Sequence, residues 1–138
     1  YLRGVGVEVM ANSDNVLRGG LTSKHVDVVE LLRVLDFSPA EDPVVRPVVD
    51  GVVSSYPTDA GEFRLVGVEV PEGGQVEVPR TGAMIILVVE GEAEVSSSAG
   101  SVELPRGGAA WVPADEPPRV LRAMGDGPVS AFVASVPE

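Results

Sequence analysis

Two hydrophobic periodicities divide the chain. Val28, Leu31, Leu32 and Leu35 stand at i, i+3, i+4 and i+7, the spacing that gathers side chains into one stripe along a helix. Asp27 with Glu30 three residues on is a capping-box pattern, in which each side chain can satisfy a backbone donor left open at a helix start. The spacing predicts a helix of only about two turns, too short to stand alone. Its stripe therefore needs a partner surface, in the domain that follows or in a part of a parent chain lying outside these residues. Ahead of the helix, Val5, Val7 and Val9 alternate with Gly4, Gly6 and Glu8, as a half-buried strand does. Asn12, Ser13, Asp14 and Asn15 follow as a structured loop of short polar side chains, extended by Gly19 and Gly20.

Beyond residue 43 the pattern turns to β. Runs rich in Val, Ile and Leu predict strands over 44–49, 63–70, 75–78, 83–89, 93–96, 101–104, 109–112, 119–123 and 129–136. Turns bearing glycine or proline separate them, such as Glu72-Gly73-Gly74, Arg106-Gly107-Gly108 and Gly125-Asp126-Gly127-Pro128. Eight or nine short strands without intervening helices imply a mainly β fold, a β-sandwich or open-ended barrel of the jelly-roll kind, with one short helix near the N-terminus. The polar, proline-punctuated stretch Ser38 to Pro43 reads as a linker. The expected organisation is thus an N-terminal piece over 1–37, a linker over 38–43 and a β domain over 44–138. The opening at Tyr1, in mid-element and without an initiator methionine, reads as part of something longer.

Composition narrows the chemistry. With 44% apolar and 22% charged residues the chain is an ordinary globular protein, and its longest apolar run, Ala83 to Val89, falls far short of a membrane-spanning helix. The 21 acidic against 10 basic side chains give a formal charge of -11, which repels nucleic acid and anionic lipid alike, so neither is expected as a partner. There is no cysteine and a single histidine, His25. Thiolate metal sites and paired imidazoles are therefore excluded, and His25 reads as an ordinary surface or half-buried imidazole. Glu90, Glu92 and Glu94 alternate as carboxylates on a solvated strand face do, and Trp111, between Ala110 and Val112, is expected in the core.

Two stretches carry family resemblances. Val89-Glu90-Gly91-Glu92-Ala93-Glu94-Val95 followed by Leu104-Pro105-Arg106-Gly107-Gly108-Ala109-Ala110-Trp111-Val112-Pro113-Ala114 resembles the two conserved segments of the cupin superfamily. Positions where metal-binding cupins place histidines are small or apolar here, as in Gly82-Ala83-Met84-Ile85, so the resemblance implies a non-catalytic jelly roll. The front segment, Glu8-Val9-Met10-Ala11-Asn12-Ser13-Asp14-Asn15-Val16-Leu17-Arg18-Gly19-Gly20-Leu21-Thr22-Ser23-Lys24, closely resembles the signature of type I phosphomannose isomerases, the zinc-dependent mannose-6-phosphate isomerases. In that family a strand ends in glutamate and Met-Ala, Ser-Asp-Asn follows, then an arginine three residues on, Gly-Leu-Thr, and a lysine just before a helix. Ser23 stands where most members carry proline and Gly19 where many carry alanine; both loosen the loop.

The resemblance implies that the chain is the C-terminal third of such an enzyme, with 1–37 completing its catalytic cupin domain. It implies a cytoplasmic isomerase acting on a hexose 6-phosphate, which moves a proton between C1 and C2 through an enediol. The family's zinc is held by a glutamine, a histidine and a glutamate of the N-terminal half and by a histidine two residues before the position of Tyr1. None of these lies in this chain, so zinc belongs to the full-length enzyme, no metal is expected bound here, and the chain alone is expected to be inactive. Arg18 is the implied catalytic residue, since a permanently charged planar guanidinium suits a developing enediolate. Lys24 is implied as a phosphate contact, with Glu8 and Tyr1 as further substrate contacts. Without the resemblance, Arg18 and Lys24 would read as two solvated loop cations, and the chain as a stand-alone β domain binding a sugar phosphate or a protein without catalysis. The fragment reading also implies an exposed apolar edge near residues 1–10, through which the chain could self-associate.

Overall fold

The computed structural model describes residues 3–13, 16–39, 41–78, 82–115 and 119–137. It divides into two compact units, Tyr1–Met10 with Val45–Glu138, and Ala11–Val44.

The larger unit holds ten strands: β1 (Val48–Asp50), β2 (Val53–Tyr56), β3 (Arg64–Val70), β4 (Gln75–Val78), β5 (Met84–Glu90), β6 (Glu92–Ser97), β7 (Gly100–Leu104), β8 (Ala109–Val112), β9 (Arg119–Met124) and β10 (Val129–Ser135). They form a six-stranded sheet in the order β1-β2-β3-β10-β5-β8 and a four-stranded sheet in the order β4-β9-β6-β7, with every pairing antiparallel. The pairs β3·β10, β4·β9, β5·β8 and β6·β7 nest inside one another. A long antiparallel ribbon has in effect been folded over itself, which is the jelly-roll topology, here with the β1–β2 hairpin added at one edge.

Alternation along each strand builds the core. Val66, Val68 and Val70 of β3, Met84, Ile86 and Val88 of β5, Leu121 and Ala123 of β9, and Val129, Ala131 and Val133 of β10 are all buried and form one cluster. The other face of the six-stranded sheet is apolar as well. There Leu65, Ile85, Leu87, Phe132 and Ala134 line a shallow depression together with Val7, Glu8, Val9 and Met10.

Three expectations are corrected. Residues 5–9 form no strand, because a strand is stable only when its backbone groups have ladder partners and none of the described strands pairs with them; Val7 and Val9 are instead half-buried. The strand expected over 44–49 begins only at Val48, directly after Pro47, which has no N–H to give a ladder. Its partner β2, Val-Ser-Ser-Tyr, has a polar middle and so carries no apolar strand pattern; Gly51, at φ +58, makes the turn between them. Trp111 is 66% exposed. Ala110 and Val112 take the inward positions of β8, opposite Ile86 and Met84, so a period of two turns Trp111 outward beside Ile85.

Between β5 and β6 the chain reverses at Gly91, at φ +75. A Cβ there would overlap the Pro128 carbonyl oxygen and stand 3.3 Å from Val129 Cα. Gly91→Ala is therefore expected to destabilise the fold by about 1–3 kcal/mol, read as a lower urea midpoint at unchanged m-value.

In the smaller unit α1 spans Val28–Val34, and the Asp27 side chain accepts from the Glu30 N–H at 3.0 Å. The predicted start and cap are thus observed. The reciprocal half of the box is not, because the Glu30 carboxylate instead takes two hydrogen bonds from the Arg33 guanidinium, one from Nε at 2.7 Å. That pairing lowers the Glu30 pKa and raises that of Arg33. The stripe remains largely unpacked: Leu31 is half-buried, whereas Val28, Leu32 and Leu35 are exposed.

Candidate functional site

The loop before α1 is shaped by local hydrogen bonds. Ser13 N–H donates to the Ala11 carbonyl at 2.8 Å, and Lys24 N–H donates to Thr22 Oγ1 at 3.1 Å, the kind of turn short hydroxyl side chains favour. Gly19 passes close to the helix. A Cβ there would lie 3.0 Å from Leu31 Cδ2, so an alanine at this position requires a small shift of Leu31.

Arg18 is half-buried and Lys24 exposed. Neither makes an ion pair among the described residues, although the protein carries a net charge of -11. Other arginines are engaged: Arg33 with Glu30, Arg106 Nε with the Val89 carbonyl at 3.1 Å, and Arg122 with Gln75 Oε1 at 3.3 Å and Glu94 at 3.9 Å. Arg18 and Lys24 are each therefore a cation that an anion could meet without displacing an internal carboxylate.

The other predicted site residues are placed differently. Glu8 is exposed and belongs to the larger unit, whereas Arg18 and Lys24 belong to the smaller. Tyr1 lies outside the described residues, as do Asp14 and Asn15 of the loop. His25 is exposed. Glu90 and Glu92 are exposed, and Glu94 is half-buried near Arg122.

Zinc requires three or four nitrogen, sulfur or carboxylate ligands converging on one point. Among the described residues no group of three or more His, Cys, Asp or Glu side chains is placed to hold a metal ion, and the chain has one histidine and no cysteine. The donors present do not fit a zinc site. Nor, among the described residues, is any helix long and apolar enough to cross a membrane.

One residue escaped sequence reasoning. Arg119, the first residue of β9, is 1% exposed. Its signal was available in the strand itself, because Arg119, Leu121 and Ala123 share one parity and therefore one face.

No family model matches the chain. It is 34% identical over 127 residues to the mannose-6-phosphate isomerase of Escherichia coli (strain K12), 38% over 131 residues to that of Salmonella typhimurium (strain LT2), and 40% over 105 residues to that of Bos taurus. These matches take in 91%, 92% and 70% of this chain. Over most of its length the chain is thus homologous to enzymes named mannose-6-phosphate isomerase. It spans about a third of the length of the first two relatives, 32% of each, and 25% of the third.

Solved phosphomannose isomerases share the fold. A histidine-to-alanine variant of phosphomannose isomerase from Salmonella typhimurium superposes with a TM-score of 0.79 at 30% identity, over 94% of this chain and 32% of that one. The enzyme from the same organism bound to f6p as substrate and to zinc gives 0.75 at 30% identity, over 92% of this chain and 32% of that one.

Proposed function

We propose that this chain is the C-terminal part of a zinc-dependent mannose-6-phosphate isomerase, which interconverts mannose 6-phosphate and fructose 6-phosphate through an enediol. The observation that carries the reading is the match over nearly the whole chain to about a third of enzymes of that name, one of them solved with f6p and zinc. In this reading residues 1–37 complete the catalytic domain, 38–43 link it onward, and 44–138 form a non-catalytic jelly roll. Zinc is held by residues outside this chain, in keeping with the donor set here.

Arg18 stabilises the negative charge that develops on oxygen as the proton moves between C1 and C2, because its guanidinium keeps its charge at any working pH and offers a planar fork of donors. Lys24, exposed at the end of the loop, meets the substrate phosphate as a point charge on a flexible stem. Glu8 and Tyr1 contact the sugar. Solved variants of the Salmonella typhimurium enzyme support the assignment of Arg18: a histidine and an arginine nineteen positions further on are each replaced by alanine, and nineteen is the separation between Arg18 and the histidine expected two residues before Tyr1. Residues 3–10 carry an alternating apolar pattern without a ladder partner, and there we place association with the rest of the enzyme or with a second copy.

The test compares this chain with the complete protein in a coupled assay for fructose 6-phosphate formation, zinc supplied. No turnover is expected from the chain alone and turnover from the complete protein. Activity of the chain alone would overturn the zinc assignment, and a complete protein inert on mannose 6-phosphate would overturn the isomerase reading.

A further inference from the structure

The nested ribbon leaves the sandwich open along one side, where β7 ends the four-stranded sheet and β8 ends the six-stranded one. At that side lies a cavity of about 260 Å³. Val95 and Ser97 of β6 and Val102 of β7 line it from one sheet, Ala110 and Val112 of β8 from the other, and Arg119 of β9 completes it. Val102 faces inward opposite Val95 yet is 46% exposed, which marks the opening.

Arg119 is the unusual element. Its guanidinium carries a permanent charge and five N–H donors, and it is buried. Nη2 donates to the Pro113 carbonyl, while Nε is buried with no hydrogen-bond partner. Among the described residues no carboxylate lies within ion-pair reach of it. A buried charge is retained at such a position only when something compensates it, and one carbonyl dipole does not neutralise a full positive charge. The buried apolar side chains beside it, Val95 and Val112, lower the local dielectric and strengthen whatever attraction an anion would find there.

We propose that this cavity is a binding site for a compact oxyanion, a carboxylate or phosphate group, which pairs with the Arg119 guanidinium and enters past Val102. The site is independent of the loop that carries Arg18 and Lys24. Arg119 supplies charge and direction through its planar donor fork, which matches both oxyanions. Val95, Ala110 and Val112 supply the apolar side of the site.

The experiment is a methyl-resolved NMR titration of this chain at low salt, with inorganic phosphate in one series and acetate in the other. Saturable shifts are expected at the Val95, Val102, Ala110 and Val112 methyls with at least one anion, and the series that produces them names the preferred group. Arg119→Met is expected to weaken binding by about ten-fold or more, the usual consequence of losing a charged hydrogen-bond donor. Val102→Trp blocks the mouth from a partly exposed position without touching Arg119, and the same loss is expected; it decides the matter if Arg119→Met fails to fold. Arg18→Ala is expected to leave these shifts unchanged. The proposal is overturned if neither anion shifts these methyls, if the shifts survive Arg119→Met or Val102→Trp, or if anion-induced shifts are confined to the Arg18–Lys24 loop.

Discussion

On the proposed function, Arg18→Ala in the complete protein is expected to lower kcat for isomerisation by about 10²–10³-fold, the scale seen when one preorganised donor to a developing oxyanion is removed. The argument is one of differential binding. A guanidinium that meets charge only as it develops lowers the barrier more than it tightens substrate binding, so kcat and kcat/KM should fall together while KM changes little. Arg18 is suited to this because it is half-buried and makes no ion pair among the described residues, so no internal carboxylate competes for it. Arg18→Lys keeps the charge but loses the planar fork, and partial recovery of kcat is expected. Lys24→Ala should show the contrasting signature, a raised KM at nearly unchanged kcat, because a phosphate remote from C1 and C2 is bound equally in the ground and transition states. Steady-state kinetics in both directions decides between these patterns. A rise in KM alone for Arg18→Ala would move Arg18 from the reacting oxygens to the phosphate.

Ile86→Ala is expected to destabilise the chain by about 2–5 kcal/mol, a large part of the stability of a single domain. Ile86 is fully buried at the centre of β5, with Val133 of β10 on one side and Ala110 of β8 on the other. Truncation there removes contacts from both neighbouring strands and from the facing sheet, and a ladder held on two sides does not collapse into the space. Ile85→Ala, one residue earlier on the opposite face and 46% exposed, is expected to change stability by about 0.5 kcal/mol or less in this chain. Urea unfolding measures both, as a fall in midpoint at constant m-value for the first and almost none for the second. Comparable losses at the two positions would mean that the outer face of the six-stranded sheet is as tightly packed as the core.

Much of this was legible along the chain because the relevant signals are local. The strands over 64–70, 75–78, 84–90 and 109–112 fall within a residue of expectation, since apolar alternation and a turn residue report the backbone directly. The Asp27 cap and the start of α1 were readable for the same reason. The Arg18 loop was readable by its resemblance to a family, which no periodicity could have supplied. Where sequence reasoning missed, the deciding quantity was a partner distant in the chain. Residues 5–9 have the alternation of a strand and lack the ladder, β2 has the ladder and lacks the apolar pattern, and Trp111 was assigned by its hydrophobicity when its parity in β8 placed it outside.

A mainly β chain with one capped helix, a pair of loop cations, and a donor set of one histidine and no cysteine could all be read from the residues in order. These follow from residue type and short-range spacing, which act before the chain closes on itself. The pairing of β3 with β10 and of β4 with β9, and the burial of Arg119 beside a cavity, belong to the folded chain alone. Those features depend on the register between segments tens of residues apart, where a shift of one position would exchange every inward side chain for an outward one.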